Sequence, residues 1–211
     1  MSELVELLKQ QSLFFPSAET LNDFLSHGDT VCYNANDSVI QIGEVNPHIY
    51  ILKDGVLQKS VLHDNHEITL SFAMPGTMFL SYDSYLLNEP SCIRISACCR
   101  CEILRIDAGV CRRMLEAHKD FALWILSIAQ YQLYTYDLKS SIVQGDALSR
   151  FNRLLGARPD IIKCVPLKMI ASYLGISQQH LSRIRRGHWL IGLLWPPTHL
   201  RNVLSQLSRS Q

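Results

Sequence analysis

The sequence feature that most constrains the fold is a change in hydrophobic period near residue 107. Before that point, short β-prone runs follow one another and are separated by turn signals, among them Asp54-Gly55 and Pro75-Gly76. Such runs predict strands, and Asp-Gly between two apolar runs predicts a hairpin. Many short strands at regular spacing predict an antiparallel sandwich or roll. The predicted strands are Val39–Ile42, Ile49–Leu52, Val56–Val61, Ile68–Ala73, Ile93–Ala97 and Glu102–Ile106.

After residue 107 the pattern becomes helical. Asp107 is a suitable N-cap for a short helix that is expected to end near Ala117. A longer helix is predicted from about Lys119 to Val143, because neither Gly nor Pro interrupts that stretch. Short helical pieces are also expected within residues 1–28. The predicted fold class is therefore α+β, an antiparallel β roll of jelly-roll type combined with helices.

One stripe of the long helix has the alternating spacing of a coiled-coil seam. A helix that carries such a stripe past the β region is expected to pair with a second copy of the chain. Packing of the stripe on the chain's own sheet is the alternative. The residues predicted at the dimer interface are Trp124, Ile128, Tyr131, Thr135, Leu138 and Ile142.

Charge is divided unevenly along the 211 residues, although the formal net charge of the whole chain is only +1. Residues 1–145 contain 10 Lys and Arg against 17 Asp and Glu, a net charge of −7. Residues 146–211 contain the other 10 Lys and Arg against 2 Asp, a net charge of +8. A basic module on an acidic body favours a polyanionic partner for the C-terminal part.

The strongest functional motif lies between Val165-Pro166 and Gly187. Gly175 follows the small residue Ala171 by four positions and suits the left-handed end of a first helix. Ser177 can cap a second helix, which is expected to end at Gly187. This spacing of a small residue, a turn glycine and apolar positions predicts a helix-turn-helix. The apolar side chains of its small core are Ile170, Leu174, Ile176, Leu181 and Ile184.

The exposed face of the second predicted helix has the chemistry of a DNA-reading surface. Gln and Arg side chains can each make paired hydrogen bonds to adenine and guanine edges in the major groove. Gln178, Gln179 and Arg183 are therefore predicted to contact bases. A helix N-terminus favours a phosphate, which places Ser177 among the backbone contacts. The set is completed, on phosphates or flanking bases, by Ser182, Arg185 and Arg186.

Membrane, secreted and enzyme classes find no support in the sequence. No apolar run reaches the roughly 18 residues that span a bilayer, and Met1–Gln11 lacks the basic and apolar segments of a signal peptide. A cytoplasmic protein without a membrane partner is therefore expected. No nucleophile elbow, P-loop or HExxH motif occurs, so no enzyme activity is predicted.

The seven cysteines are expected to be free thiols, because an odd number fits a disulfide framework poorly. Four of them lie close together in a region that is predicted to form two strands, so alternate side chains would face opposite sides of the sheet. Buried thiols are the expectation, no metal site is predicted, and redox sensing or a metal is the alternative. These four are Cys92, Cys98, Cys99 and Cys101.

The order of these parts resembles the CRP/FNR family of bacterial transcription regulators. The resemblance covers about residues 10–187 and is strongest from Arg150 to Arg186, where the sequence looks like a Bacteroidetes-type branch. It implies a cyclic-nucleotide-binding-like β roll, a dimerisation helix and a C-terminal winged helix-turn-helix. The corresponding domains are a sensor or effector roll (residues 1–118), a dimerisation helix (119–144), a DNA-binding helix-turn-helix (145–187) and an atypical tail (188–211).

The resemblance also implies a function, that of a sequence-specific transcription regulator. Its partners would be a second copy of the chain and a two-fold-related operator in double-stranded DNA, with half-sites about 34–36 Å apart. RNA polymerase is a further expected partner. In this interpretation an effector or redox event in the roll shifts the long helices and reorients the two recognition helices.

The sequence departs from the family at the phosphate-binding segment. Cyclic-nucleotide binders carry a Gly-Glu pair and a Pro-Arg-Ser or Pro-Arg-Thr sequence, whose Arg pairs with the cyclic phosphate. Here the matching positions are Leu80-Ser81 and Pro90-Ser91-Cys92. Without that Arg a buried phosphate loses its bidentate partner, so neither cAMP nor cGMP is expected and no cofactor is predicted. Another ligand would contact Ser81, Tyr82, Ser91 and Cys92.

The tail is a second departure, since residues 188–211 contain an apolar run with Trp189 and Trp195 where the family usually has a wing. A tail that covers the recognition helix would give the alternative function, an effector-sensing or scaffold dimer that no longer binds DNA. A small-molecule-binding protein without a DNA role is a third hypothesis. The net charge of +8 after residue 145 disfavours it.

Overall fold

A computed structural model of the chain describes residues 2–64, 66–158, 161–162 and 165–191. The chain divides into two units, Met1–Leu138 and Lys139–Gln211, and the boundary falls within a long helix. Residues 192–211, which include most of the predicted tail and the place of the implied wing, lie outside the described residues.

Eight strands in the first unit form two four-stranded antiparallel sheets. They are β1 (Asp29–Tyr33), β2 (Ser38–Ile40), β3 (His48–Asp54), β4 (Leu57–His63), β5 (His66–Ala73), β6 (Met78–Leu80), β7 (Arg94–Ala97) and β8 (Cys101–Asp107). One sheet has the strand order β1-β8-β3-β6, and the other has the order β2-β7-β4-β5. The antiparallel roll expected from the turn-separated apolar runs is confirmed.

Six strands lie where the sequence predicts them, whereas β1 and β6 were not predicted. β1 lies at the edge of its sheet and is largely exposed, so its residues carry little apolar alternation. β6 is only three residues long and follows directly on the Pro75-Gly76 turn. A strand is recognised in a sequence by an apolar pattern over several residues, and neither β1 nor β6 shows such a pattern.

The turn between β3 and β4 shows why the Asp54-Gly55 signal is specific. Gly55 has a φ of +95°, a backbone conformation that side chains with a Cβ rarely adopt. A Cβ at this position would lie 2.6 Å from the carbonyl oxygen of Arg100, which is too close for any contact between these atoms. The glycine is therefore required both by the turn and by the neighbouring backbone.

Apolar side chains from both sheets form the interior of the roll. The rings of Tyr50 and Phe79 stack with their centroids 5.2 Å apart and their planes 11° apart. Such a filled interior is typical of a small roll whose inward positions are occupied by side chains. The buried members are Val39, Ile40, Tyr50, Leu52, Leu57, Phe79, Ile93, Ile95, Ala97, Cys101 and Ile103.

A second core joins the other face of the β1-β8-β3-β6 sheet to four helices. These are α1 (Ser2–Lys9), α2 (Ala18–Ser26), α3 (Ala108–Ala117) and α4 (Lys119–Ile142). The carboxylate of Asp107 accepts from the Gly109 N–H at 2.8 Å, which confirms the predicted N-cap of α3. The predicted bounds of α3 and α4 agree with the structure to within one residue.

Two positions of the predicted dimer seam lie in this core, and the prediction is wrong for them. Trp124 is 0% exposed and packs against Phe24 and Phe121, and Ile128 is 7% exposed. Both side chains belong to the same core cluster as the sheet residues Ile49 and Ile106. The first half of the stripe therefore packs on the chain's own sheet, which is the alternative that the spacing left open.

The second unit contains α5 (Ala147–Ala157), α6 (Leu167–Leu174) and α7 (Gln178–Ile191). The carboxylate of Asp146 accepts from the Ser149 N–H at 2.8 Å and caps α5 as predicted. α7 continues through Gly187, so the expected end of the helix at that glycine is wrong. A single glycine costs a helix interior only about 1 kcal/mol relative to alanine, which neighbouring residues can offset. Within the described part of the chain, no helix is both long and apolar enough to cross a membrane.

Candidate functional site

A glycine in the left-handed region ends α6. Gly175 has φ and ψ of 65° and 38°. Its N–H donates to the carbonyl of Ser172 at 3.1 Å, and the Ile176 N–H donates to the carbonyl of Ala171 at 3.0 Å. A residue without a Cβ adopts this backbone at least cost, and the two bonds satisfy carbonyls of the last helical turn. The predicted role of Gly175 is confirmed.

Ser177 begins α7 as predicted. Its hydroxyl accepts from the His180 N–H at 3.2 Å, and its carbonyl accepts from the Leu181 N–H at 3.0 Å. These bonds are the N-cap arrangement, in which one serine satisfies donors of the first turn. The N-terminal end of α7 carries the partial positive charge of the helix dipole, which suits a nearby anion.

The side of α7 that carries Leu181 packs on α6. Ile170, Ala171, Leu174 and Leu181 are buried, whereas Ile176 and Ile184 are half-buried. Burial raises the pKa of the neighbouring Tyr173 hydroxyl. The predicted small core is therefore formed by the expected residues, and it leaves the opposite side of α7 to solvent.

All seven predicted DNA contacts lie on α7 or at its N-cap. Gln178, Gln179 and Arg183 are exposed; Gln179 and Arg183 are four residues apart and share one side of the helix, and Gln178 lies at the edge of that side. That side lies away from the buried Leu181. Of the remaining four, Ser177 and Arg186 are exposed, and Ser182 and Arg185 are half-buried.

The basic residues of α5 differ in their surroundings. Arg153 is exposed, and its Nη1 donates to the carbonyl of Gln144 at 3.2 Å. Arg150 is half-buried, and its Nη1 donates to the carbonyl of Leu174 at 2.6 Å. Sequence reasoning counted Arg150 only as a charge. No sequence pattern indicates that this side chain turns back toward the end of α6.

The predicted ligand residues of the roll lie in the segment from β6 to β7. A π-helical turn (Asp83–Leu87) occupies the middle of this segment. Ser81 and Ser91 are buried, whereas Tyr82 and Cys92 are exposed. The Ser84 hydroxyl lies 3.2 Å from that of Ser81 and donates to the carbonyl of Glu89 at 3.0 Å. The buried hydroxyls are thus engaged within the segment itself.

A carboxylate lies against the predicted ligand residue Cys92. The Cys92 N–H donates to Oδ2 of Asp83 at 2.9 Å. This bond holds the pKa of the Asp83 carboxyl below its ordinary value, and Lys59 adds a smaller effect in the same direction. The same carboxylate raises the pKa of the Cys92 thiol. Sequence reasoning did not identify Asp83, because a π-helical turn leaves no periodic signal.

Side-chain contacts connect α4 with the roll near this segment, and in one of them the Tyr82 hydroxyl donates to Oε1 of Gln132 at 3.4 Å. Nε2 of Gln132 donates to the carbonyl of Met78 at 2.9 Å. Nζ of Lys59 donates to the Tyr136 hydroxyl at 3.2 Å. Although the Tyr82 side chain is exposed in part, desolvation of its hydroxyl, and then the neighbouring Tyr136, raise the pKa of this group. The side of α4 that bears Gln132 and Tyr136 therefore borders the predicted ligand residues.

Another stripe of α4 is apolar and exposed. Leu123, Leu126, Leu133 and Tyr134 are all exposed by 39% or more of their side-chain area. Of the predicted seam, Tyr131 is half-buried and Thr135 is exposed, and the side chains of Leu138 and Ile142 lie outside the described residues. An apolar stripe is present on α4, but it is rotated away from the predicted one.

Of the four clustered cysteines that were expected to be buried, only two are: Cys98 and Cys101 are buried, whereas Cys99 is half-buried and Cys92 is exposed. The thiols of Cys98 and Cys101 are buried, which raises their pKa values to about 12 and about 11. Both are therefore protonated at neutral pH. Within the described residues, no group of three or more His, Cys, Asp or Glu side chains is placed to hold a metal ion.

The roll matches a known protein family. Residues 30–118 match the family model of the cyclic nucleotide-binding domain. This stretch contains β2 to β8, the π-helical turn and α3. No curated protein sequence matches the chain.

Solved structures of bacterial regulators share the fold. CLP, described as a c-di-GMP responsive global regulator of Xanthomonas campestris, is 16% identical with a TM-score of 0.64, over 85% of this chain and 95% of CLP. FixK2 from Bradyrhizobium japonicum is 14% identical with a TM-score of 0.68, over 80% of this chain and 88% of FixK2. The catabolite activator protein of Thermus thermophilus is 18% identical with a TM-score of 0.51, over 86% and 88% of the two chains. Each likeness extends over more of this chain than the first unit alone.

Proposed function

We propose that the chain is a sequence-specific DNA-binding transcription regulator of the CRP/FNR type, that it acts as a homodimer and that it is not an enzyme. The observation that carries the proposal is the exposed face of α7, which bears Gln and Arg side chains. The helix follows directly on a turn in which Gly175 ends α6 and Ser177 is the N-cap of α7. This helix belongs to the part of the chain with a net charge of +8. The regulators that share the fold support the same function.

In this proposal α7 is the recognition helix. Gln178, Gln179 and Arg183 read base edges in the major groove, since amide and guanidinium groups make paired hydrogen bonds there. Ser177 stands at the N-terminus of the helix, where a backbone phosphate is favoured. Phosphates or flanking bases are contacted by the half-buried Ser182 and Arg185 and by the exposed Arg186.

The second copy of the chain would bind along the exposed stripe of α4. Leu123, Leu126 and Leu133 follow one another by three and seven residues, the spacing of a coiled-coil seam, and Tyr134 extends the stripe. A row of large exposed apolar side chains on one helix is typical of a protein interface. This seam replaces the one that includes Trp124 and Ile128, which the chain's own core already buries.

The roll is proposed to bind no cyclic nucleotide, although its family model implies one. A cyclic phosphate needs a cationic partner, and the position that matches the arginine of cyclic-nucleotide binders holds Ser91 instead. The Ser91 hydroxyl is engaged with the backbone of Ile93, as donor to the carbonyl at 3.0 Å and acceptor from the N–H at 3.3 Å. These residues do not fit the group.

The carboxylate of Asp83 disfavours an anion at this place still further. It already accepts from the Cys92 N–H, and a phosphate there would meet its negative charge at close range. Gln132 and Tyr136 of α4 form hydrogen bonds with the roll at this place. We therefore expect DNA binding that does not depend on cyclic nucleotide, with RNA polymerase as a further partner of the bound dimer.

The experiment is a selection of genomic DNA fragments on the purified, ligand-free chain, followed by sequencing. The proposal predicts enrichment of a two-fold-symmetric site. A parallel selection uses a chain cut after Ile191, the last residue of α7. Enrichment by the cut chain alone would indicate the alternative function, a dimer whose recognition helix is covered by residues 192–211. Enrichment by neither chain, with or without cyclic nucleotides, would contradict the proposal.

A further inference from the structure

The C-terminal end of α6 is held by a side chain from another helix. Arg150 lies in the first turn of α5, 24 residues before Leu174. Its Nη1 donates to the Leu174 carbonyl at 2.6 Å. Leu174 is the last residue of α6 and immediately precedes Gly175. The contact therefore falls on the turn that leads into α7.

This contact adds a hydrogen bond that the backbone of the turn does not supply. The carbonyls of Ala171 and Ser172 accept from the backbone N–H groups of Ile176 and Gly175. Those bonds do not reach the carbonyl of Leu174, and the guanidinium of Arg150 donates to it instead. A cation at the C-terminal end of a helix is further stabilised by the helix dipole.

The guanidinium group of Arg150 contacts the protein and is partly shielded from solvent. Its Nε is buried and has no hydrogen-bond partner among the described residues. A Cβ built on Gly175 would lie 3.4 Å from Nη1, so the side chain lies directly against the turn. Arg153 of the same helix is exposed, and its Nη1 donates to the carbonyl of Gln144 instead.

We propose that Arg150 is a positioning residue for the recognition helix. By holding the end of α6, its guanidinium fixes the backbone from Gly175 to Ser177 and so the direction in which α7 presents Gln178, Gln179 and Arg183. The inference rests on the proposed function, because it assigns that positioning to DNA reading. Arg150 itself touches no base.

Three variants of the full chain test the inference. Arg150→Ala removes the contact, and Arg150→Lys keeps a cation that can donate to the same carbonyl. Arg153→Ala is the matched control, because it removes one positive charge from the same helix and a contact to the Gln144 carbonyl but leaves the turn intact.

The first readout is affinity for the DNA fragment enriched by the selection and for a scrambled fragment of equal length, each over a series of salt concentrations. Loss of a hydrogen bond from a charged group predicts about a tenfold weaker binding of Arg150→Ala to the enriched fragment. We expect less change on the scrambled fragment, an unchanged salt slope and partial recovery in Arg150→Lys. Equal losses on both fragments with a salt slope reduced by about one would make Arg150 a phosphate contact and overturn the inference.

The second readout needs no DNA. Amide hydrogen exchange at residues 176–181 is expected to quicken in Arg150→Ala, to recover in Arg150→Lys and to stay unchanged in Arg153→Ala. If exchange quickens but the wild-type chain binds no DNA, the hold on the turn is supported and the proposed function fails. Unchanged exchange in both Arg150 variants would overturn the inference even where DNA is bound. If Arg150→Ala does not fold, the Arg150→Lys and Arg153→Ala chains decide by the same two readouts.

Discussion

At the scale of single residues, the proposal that the roll binds no cyclic nucleotide rests on the segment from Ser81 to Cys92. Ser91 lies where the resemblance places the arginine of cyclic-nucleotide binders, and its hydroxyl forms hydrogen bonds with the backbone of Ile93. The carboxylate of Asp83 accepts from the Cys92 N–H and so places a negative charge beside this segment. Both features disfavour a phosphate, one by removing the attractive partner and one by adding a repulsive one.

Cyclic nucleotides are therefore expected to leave the stability of the chain unchanged. A ligand that binds only the folded state raises the unfolding free energy by about 2.7 kcal/mol at 100 times its dissociation constant. We predict no shift of the unfolding temperature with millimolar cAMP or cGMP in a thermal scan. Asp83→Ala is predicted to behave like the wild type, because Ser91 still supplies no cation. A concentration-dependent rise in either chain would contradict this account of the roll.

Arg183 offers a test of base reading. Removing a bidentate arginine contact costs about 1–3 kcal/mol of binding free energy and relaxes specificity at one base position. Arg183→Ala should therefore weaken binding to the enriched fragment and broaden the preference at that position in a repeated selection. A loss of equal size on every sequence, with a lower salt slope, would show that Arg183 contacts a phosphate instead.

The buried thiol of Cys98 predicts a loss of stability at alkaline pH. Its pKa is raised to about 12 in the folded chain from an ordinary value of 9.0, so the unfolded chain loses this proton first. Stability is complete below pH 9 and falls as pH rises toward 12, by about 2 kcal/mol between about pH 9 and pH 11. Denaturant unfolding across this range should decline more steeply for the wild type than for Cys98→Ala. Parallel declines would refute the prediction, and Cys32→Ala controls for the loss of an exposed thiol.

At the scale of elements, α4 shows what the sequence could and could not predict. The cap at Asp107 predicts the start of α3, the absence of Gly and Pro from Lys119 to Val143 predicts α4, and the predicted bounds of both helices agree with the structure to within one residue. The seam was misplaced because α4 carries two apolar stripes, and periodicity does not say which one meets the sheet. The aromatic cluster of Phe24, Phe121 and Trp124 buries one stripe and leaves Leu126 and Leu133 on the other.

The exposed stripe predicts how the dimer can be broken. Leu126→Glu and Leu133→Glu place a charge on the proposed seam, where burial without a partner would cost several kcal/mol. Either variant is expected to elute as a monomer in size-exclusion chromatography with light scattering, with its circular dichroism unchanged. Thr135→Glu is the control, since Thr135 is exposed on the seam predicted from sequence. If both leucine variants remain dimers and the Thr135→Glu variant is a monomer, the dimer interface is the one predicted from the sequence.

For the turn between α6 and α7, the sequence predicted both the residue that ends α6 and the residue that caps α7. Gly175 and Ser177 are local signals, since a left-handed backbone and a free first turn each favour one type of residue. Arg150 and Asp83 were missed because their partners lie 24 and 9 residues away and depend on how the elements fold together. Contacts of this kind leave no mark in the spacing of a single sequence.

At the scale of the whole molecule, the division of charge and the division of structure nearly coincide. The acidic part with a net charge of −7 ends at residue 145, and the first unit ends at Leu138. The second unit carries the basic residues that the proposal assigns to DNA. Regulators that are only 14–18% identical share the fold over 80% or more of the chain. In our proposal the fold is shared with these regulators, whereas the phosphate-binding chemistry of the roll is not.

The most direct test of the account is the dependence of DNA affinity on the distance between the two halves of the enriched site. Two recognition helices of one dimer require half-sites about one helical turn apart, so an insertion of about half a turn at the centre places them on opposite faces of the duplex. We expect the ligand-free chain to bind the native spacing tightly and the altered spacing only as weakly as scrambled DNA. Equal affinity for both spacings would contradict a homodimer that reads a two-fold site through α7.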